Sequence, residues 1–186
     1  MHAIFHRWRA ALLACLACLA WPGPLAWGQA ALSEAELKAA LVFNFARYVE
    51  WPERAFATRE APLVICLVGR DRFAAAFTAL ETRKLHGRAV KVRTGVAAAE
   101  GRGCHVAFVT DPTGAQMIPM LRELAGQSVL TVSDAEGFID NGGAIGIVAG
   151  EERLQFEVNR DALGQAQLTA SSQLLKLART VLGKGG

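Results

Sequence analysis

Apolar residues along the chain fall into continuous runs and into helical spacings, and the two patterns alternate. The continuous runs are typical of strands covered on both faces of a parallel sheet. Between them, apolar residues recur at three- and four-residue intervals, which predicts helices; Phe73, Phe77 and Leu80 form one such set. The predicted strands are residues 63–68, a short segment around Val90 and Val92, and residues 104–109, 128–132, 144–148 and 154–158.

This alternation predicts a single α/β domain, a three-layer sandwich in which helices flank a mostly parallel sheet. The last two predicted strands are separated by a short segment that contains Gly150. We expect them to form an antiparallel hairpin near the C-terminus. One later helix is predicted over residues 115–124, with a kink at Pro119. The last is predicted over residues 171–182, with Leu174, Leu175 and Leu177 facing inward.

The first helix of this domain begins with a capping box, in which Ser33 is the N-cap and Glu36 the third helical residue. It should end near residue 48, before Pro52. Its apolar residues cover an arc of about 200°, wider than the stripe of an ordinary surface helix, and Lys38 interrupts this arc. Phe43 falls outside it. A helix this apolar is either buried on two sides or presents part of its surface to another molecule.

The first thirty residues have the layout of a secretory signal peptide. Arg7 and Arg9 precede an apolar stretch at residues 10–20, and small residues follow around Ala30. The apolar stretch has about eleven residues, whereas a helix that spans a bilayer needs about twenty. We therefore predict export with cleavage near Ala30, so that residues 1–30 are the signal peptide and residues 31–186 the domain. A lipoprotein signal ending at Cys15 is the weaker alternative.

Composition and net charge argue against a nucleic-acid-binding protein. The 186 residues are 52% hydrophobic and 20% charged, with a formal net charge of +3. No arginine- or lysine-rich block is expected to concentrate that charge. Loss of Arg7 and Arg9 with the signal peptide leaves a nearly neutral chain, so electrostatic binding to nucleic acid is not expected.

Two cysteines, Cys66 and Cys104, remain after cleavage. In an oxidising compartment a disulfide between them is favoured, and closing a loop of this length stabilises a fold by about 3 to 4 kcal/mol. Two buried free thiols are the alternative. A zinc site is disfavoured because neither cysteine belongs to a CxxC motif.

The carboxyl ends of the predicted strands are where ligands of open α/β sheets bind. This chain places Gly69, Arg70, Thr110 and Ser133 there, which predicts, as an alternative function, a module that binds a small ligand. Three aspartates follow the same strands, and we interpret them as caps of helices and turns. They are Asp71, Asp111 and Asp134.

No enzyme motif accompanies these residues. His105 lies inside an apolar strand, which is typical of a structural histidine rather than of a base. No nucleophile–base pair and no phosphate-binding or dinucleotide-binding motif is recognised, so neither catalysis nor a cofactor is predicted.

Large rings and charges mix at the end of the first helix. Such mixtures are typical of interface anchors. The predicted partner-binding residues are Phe43, Arg47, Tyr48, Glu50 and Trp51.

Ordered blocks of sequence carry a family resemblance that spans residues 34–182. The first runs from Leu37 to Pro52 and includes Phe43-Asn44-Phe45-Ala46-Arg47-Tyr48-Val49-Glu50-Trp51-Pro52, followed by Ile65-Cys66-Leu67-Val68-Gly69. The later blocks are Cys104-His105-Val106-Ala107-Phe108-Val109, Leu130-Thr131-Val132-Ser133-Asp134, Gly142-Gly143-Ala144-Ile145-Gly146, Phe156-Glu157-Val158-Asn159 and Ser171-Ser172-Gln173-Leu174-Leu175-Lys176-Leu177-Ala178. In this order they resemble the YfiR family of periplasmic proteins.

The resemblance implies regulation rather than catalysis. The family's founding member is a periplasmic repressor that binds the periplasmic part of an inner-membrane diguanylate cyclase, and a peptidoglycan-binding outer-membrane lipoprotein sequesters it. The implied partners of this chain are therefore such a cyclase or another sensor, and such a lipoprotein. The implied outcome is less cyclic di-GMP and less biofilm. We also expect a homodimer.

The resemblance also bears on the cysteines. Cys66 and Cys104 match the family's bridged pair, whereas a second disulfide of the founding member has no counterpart here.

Overall fold

The computed structural model describes residues 32–70, 72–110, 112, 114–151 and 153–183. The helices are α1 (Glu34–Arg47), α2 (Ala74–Thr78), α3 (Gly114–Leu124), α4 (Arg160–Gln165) and α5 (Ser172–Leu177). The strands are β1 (Val49–Glu50), β2 (Leu63–Gly69), β3 (Lys84–Leu85), β4 (Arg88–Val96), β5 (Val106–Thr110), β6 (Leu130–Ser133), β7 (Ile145–Ala149), β8 (Leu154–Asn159), β9 (Thr169–Ala170) and β10 (Thr180–Leu182). Short 3-10 helices cover Glu53–Ala55, Ala79–Thr82 and Ala98–Gly103.

Eight strands of the described chain form one sheet in the order β10-β8-β7-β6-β5-β2-β4-β3. Neighbours from β4 through β2, β5 and β6 to β7 are parallel, whereas β7 pairs with β8, and β3 with β4, antiparallel. The predicted α/β fold and the antiparallel hairpin are both confirmed. Two further strands, β1 and β9, form a separate antiparallel pair.

Alternate residues of the central strands enter two hydrophobic clusters, one on each face of the sheet. In β2, Ile65 and Leu67 belong to the cluster that contains α1 residues, whereas Cys66 and Val68 belong to the cluster that contains α3 residues. Burial on both faces explains why this strand reads as a continuous apolar run.

Helix α1 begins where its capping box predicts. Ser33 Oγ accepts a hydrogen bond from the Glu36 amide at 3.2 Å, and Glu36 Oε2 accepts one from the Ser33 amide at 2.8 Å. The hydrogen bond from the Ser33 amide lowers the pKa of the Glu36 carboxyl below its ordinary value. Local chemistry therefore determines the start of this helix.

The predicted helix over residues 171–182 is wrong in its second half. Helix α5 ends at Leu177, Ala178 is extended, and β10 then pairs in parallel with β8. The Arg179 amide donates a hydrogen bond to the Phe156 carbonyl at 2.8 Å. Pairing with β10 satisfies main-chain groups of β8 that would otherwise form an open sheet edge. As a consequence Leu177, expected to face inward, is 70% exposed.

Candidate functional site

The predicted disulfide is present between Cys66 and Cys104, with 5.8 Å between the Cα atoms. Cys66 lies in β2 and is fully buried, and Cys104 follows the 3-10 helix that precedes β5. The bond therefore ties the central strand of the sheet to the segment that leads into its neighbour.

Four of the predicted partner-binding residues lie together where α1 passes into β1. We call Arg47, Tyr48, Glu50 and Trp51 the α1–β1 corner. Arg47 and Glu50 are exposed, whereas Tyr48 and Trp51 are half-buried against the core. Trp51 Nε1 donates a hydrogen bond to the His105 carbonyl at 3.2 Å. The corner thus combines two exposed charged residues with two half-buried aromatic residues; its role in binding a partner stays a prediction.

Phe43, the fifth residue of that prediction, is only 3% exposed. The expectation that it lies on an exposed face of α1 is wrong. Its ring belongs to the main core cluster, and the Arg83 guanidinium lies 4.3 Å from its centroid. Helix α1 contacts α2, and its buried residues share one core cluster with strands of the large sheet, so its apolar surface is buried on two sides. Phe43 therefore offers almost no side-chain surface to another molecule.

His105 holds the segment after β1 against the sheet. Its Nδ1 accepts a hydrogen bond from the Val64 amide at 3.0 Å, and its Nε2 donates one to the Ala55 carbonyl at 3.0 Å. The ring stacks on Phe56 with 4.3 Å between centroids. Burial lowers the pKa of His105 below its ordinary value; the hydrogen bond to the Ala55 carbonyl opposes this shift, and the charge of Arg88 adds to it. These contacts agree with the structural role predicted for this histidine.

Three of the four strand-end residues predicted to bind a ligand lie on neighbouring strands of the sheet, and Arg70 directly follows β2. Gly69 pairs with Thr110, and Ser133 pairs with Val109. Gly69 has a φ of +106°, and a Cβ there would come within 2.7 Å of the Thr110 carbonyl oxygen, so glycine is required. Arg70 is exposed, whereas Thr110 and Ser133 are buried.

Both hydroxyls at this edge are engaged with the main chain. Thr110 Oγ1 donates to the Arg70 carbonyl at 2.8 Å, and Ser133 Oγ donates to the Val109 carbonyl at 2.7 Å. A depression of about 440 Å³ opens nearby and includes Gly69 in its lining, with apolar residues of β4 and α3. Ligand binding at this edge stays a prediction. Asp71 and Asp111, interpreted as caps, lie outside the described residues.

The third aspartate, Asp134, belongs to an ionic cluster that the sequence pattern did not predict. Lys38, 4% exposed, donates to Asp134 Oδ2 at 2.5 Å and also to Glu34 Oε1. Arg72 lies 3.5 Å from the same Asp134 oxygen. Burial opposes the charged form of Lys38, but the hydrogen bonds to Asp134 and Glu34 outweigh it and raise its pKa above the ordinary value. The sequence signal for this cluster was Lys38, a charged residue inside the apolar arc of α1.

Neither a metal site nor a membrane span is found among the described residues. They contain no group of three or more His, Cys, Asp or Glu side chains placed to hold a metal ion. Their helices include none with the length and apolar character needed to cross a bilayer.

Comparisons with known proteins identify a family. No curated protein matches the chain. A solved structure, the crystal structure of a conserved domain protein from Vibrio cholerae O1 biovar El Tor, aligns with 14% identity and a TM-score of 0.49. The alignment covers 81% of this chain and 61% of that one, so this chain spans less than two thirds of it. The sequence profile of the YfiR/HmsC-like family matches residues 35–179. The chain belongs to the YfiR/HmsC-like family.

Proposed function

We propose that this protein is a periplasmic regulator that binds the periplasmic part of an inner-membrane diguanylate cyclase and represses it. Its presence would lower cyclic di-GMP and biofilm formation. The observation that carries the proposal is family membership over residues 35–179, because YfiR/HmsC-like proteins are regulators of cyclic di-GMP signalling rather than enzymes. The layout of residues 1–30 as a signal peptide supports export to the compartment where such a partner is exposed.

The α1–β1 corner is the proposed contact surface. Contacts of Tyr48 and Trp51 with the hydrophobic core hold the corner in place. The antiparallel pairing of β1 with β9, in which Val49 pairs with Ala170, also holds it. The Ser171 amide also donates to the Tyr48 carbonyl at 2.8 Å. Rings anchored in this way lose little conformational entropy on binding, which favours them as contact residues.

The nearby charges make the contact testable. Arg47 and Glu50 are exposed, so their head groups can pair with a partner without disturbing the core. Charged groups at the rim of an interface set its register and exclude wrong partners. Self-association as a homodimer and sequestration by a peptidoglycan-binding outer-membrane lipoprotein are further parts of the proposal.

The test is a charge reversal at the corner. Arg47→Glu combined with Glu50→Arg should raise cyclic di-GMP several-fold in the host, while the amount of exported protein and its melting temperature stay unchanged. The matched control is Lys176→Glu, an exposed position on α5, which should leave cyclic di-GMP unchanged.

Wild-type cyclic di-GMP in the double variant, at normal protein level, would exclude the corner as the contact surface. If deletion of the whole gene also left cyclic di-GMP unchanged, the proposed repression itself would be refuted.

A further inference from the structure

A basic surface lies at the β3–β4 edge of the large sheet, where the sequence analysis expected no concentration of charge. Residues 82–99 contain five basic residues and no acidic residue. These are Arg83, Lys84, Arg88, Lys91 and Arg93. The expectation that no segment concentrates the basic residues is therefore wrong.

Two of the five have a structural role. Arg83 lies over the Phe43 ring, and Arg88 donates hydrogen bonds to the carbonyls of Thr58, Arg59 and Ala61 at 2.7 to 3.0 Å. Packing and main-chain contacts account for these two guanidinium groups.

The other three share one exposed face of the sheet. Lys84 pairs directly with Ala89, and Ala89, Lys91 and Arg93 are alternate residues of β4. Directly paired residues and alternate residues of a strand point to the same side. We call Lys84, Lys91 and Arg93 the basic face. All three are exposed, and no described residue forms an ion pair or a hydrogen bond with their head groups.

The acids at either end of this segment form no ion pair with the basic face and bond to backbone amides instead. Glu81 Oε1 accepts a hydrogen bond from the Val92 amide at 2.9 Å, and Glu100 Oε2 accepts one from the Ala97 amide at 3.4 Å. The first contact shows that a carboxylate fits against the outer edge of β4. Beyond Ala89, that edge has no paired strand among the described residues.

We propose that the basic face is a second contact surface, and that it binds an acidic, extended segment of a partner protein. Lys91 and Arg93 are two residues apart in a strand, so their side chains leave the sheet about 6.6 Å apart. Carboxylates on alternate residues of an extended peptide have the same spacing. The proposal goes beyond the repressor function above and does not depend on it.

Other occupants fit the surface less well. A second copy of this chain would bring like charges together, which costs binding energy. A membrane surface is held by apolar side chains as well as by cations, and the large apolar side chains exposed in the described chain all lie outside residues 82–99. They are Leu32, Leu37, Ile118, Leu177 and Val181.

The experiment uses the purified protein and a fluorescent ten-residue peptide of alternating Glu and Val, with binding measured by anisotropy. The wild-type protein should bind the peptide, and affinity should fall about tenfold between 50 and 200 mM salt, as expected for contacts between exposed charges. Lys91→Glu/Arg93→Glu should weaken binding at least tenfold. Arg122→Glu/Lys176→Glu has the same change in net charge at exposed sites on α3 and α5 and should bind the peptide much more tightly than the first variant.

Equal binding by the two double variants would refute the basic face as the site. Binding to phosphatidylglycerol vesicles without binding to the peptide would refute an acidic polypeptide as its occupant. A peptide of alternating Lys and Val should not bind, and binding of it would also refute the proposal. Because no outcome depends on cyclic di-GMP, a failure here leaves the test at the α1–β1 corner unaffected.

Discussion

Loss of the Cys66–Cys104 disulfide should destabilise the domain strongly. The two residues are 38 positions apart, and in the chain-entropy relation a loop of this length restricts the unfolded chain enough to stabilise the fold by about 4 kcal/mol. The free energy of unfolding of an ordinary domain is about 5 to 15 kcal/mol, so the disulfide supplies a large fraction of that free energy. At about 2 to 4 °C per kcal/mol for a domain of this size, the melting temperature should fall by about 10 °C.

The assay compares oxidised and reduced protein by circular dichroism during heating, with free thiols counted before each scan. Reduction leaves the amino-acid sequence unchanged, so the comparison isolates the effect of breaking the disulfide. The Cys66→Ala/Cys104→Ala variant should melt near the reduced protein, somewhat lower because Cys66 is fully buried and truncation leaves a small cavity. Reductant should not change the melting of this variant. Equal melting temperatures for oxidised and fully reduced wild-type protein would refute the reasoning.

Two further predictions concern buried charge. Lys38→Met should lower the free energy of unfolding, measured by urea denaturation, by about 3 kcal/mol because the Asp134 carboxylate stays partly buried without its main partner. Lys38→Met/Asp134→Asn should lower it by less. A larger decrease in the double variant would contradict this reasoning. The pKa of His105 is lowered in the folded state, so the fold favours the neutral ring. The contribution of His105 to the free energy of unfolding should therefore be fully present above its unfolded-state pKa of about 6.5. Below that pH the free energy of unfolding should fall by up to about 1.4 kcal/mol per pH unit. His105→Asn should flatten this dependence between pH 7.5 and 5.5, and an unchanged slope would contradict the assignment.

Local signals in the sequence predicted much of the fold because their energies act over a few residues. The Ser33–Glu36 capping box marks the start of α1, since both hydrogen bonds join residues three apart. The continuous run in β2 marks a strand buried on both faces, since every side chain of a central strand meets one cluster or the other. The pair Cys66 and Cys104 was recognised from the number of cysteines and the predicted compartment.

Tertiary contacts decided which of the recognised residues remain available to another molecule. Phe43 is on the polar side of α1 by helical spacing, yet it is buried in the main core cluster with Arg83 over its ring. Lys38 interrupts an apolar arc, yet its partner Asp134 is 96 residues away. Burial depends on what packs against a residue, and a partner so distant in the chain leaves no periodic signal.

The end of the chain shows the same division. Residues 172–177 form a helix by their own spacing, and Ser171 caps it by accepting a hydrogen bond from the Leu174 amide at 3.2 Å. Helical spacing alone extends that helix to residue 182, but β10 pairs with β8 instead. Local sequence patterns specified the flanking of the sheet by helices, the starts of α1, α3 and α5, and the bridged cysteines. The exposed surfaces, from the α1–β1 corner to the basic face, were decided only by packing, because an open sheet edge and a covered helix face arise from segments far apart in sequence.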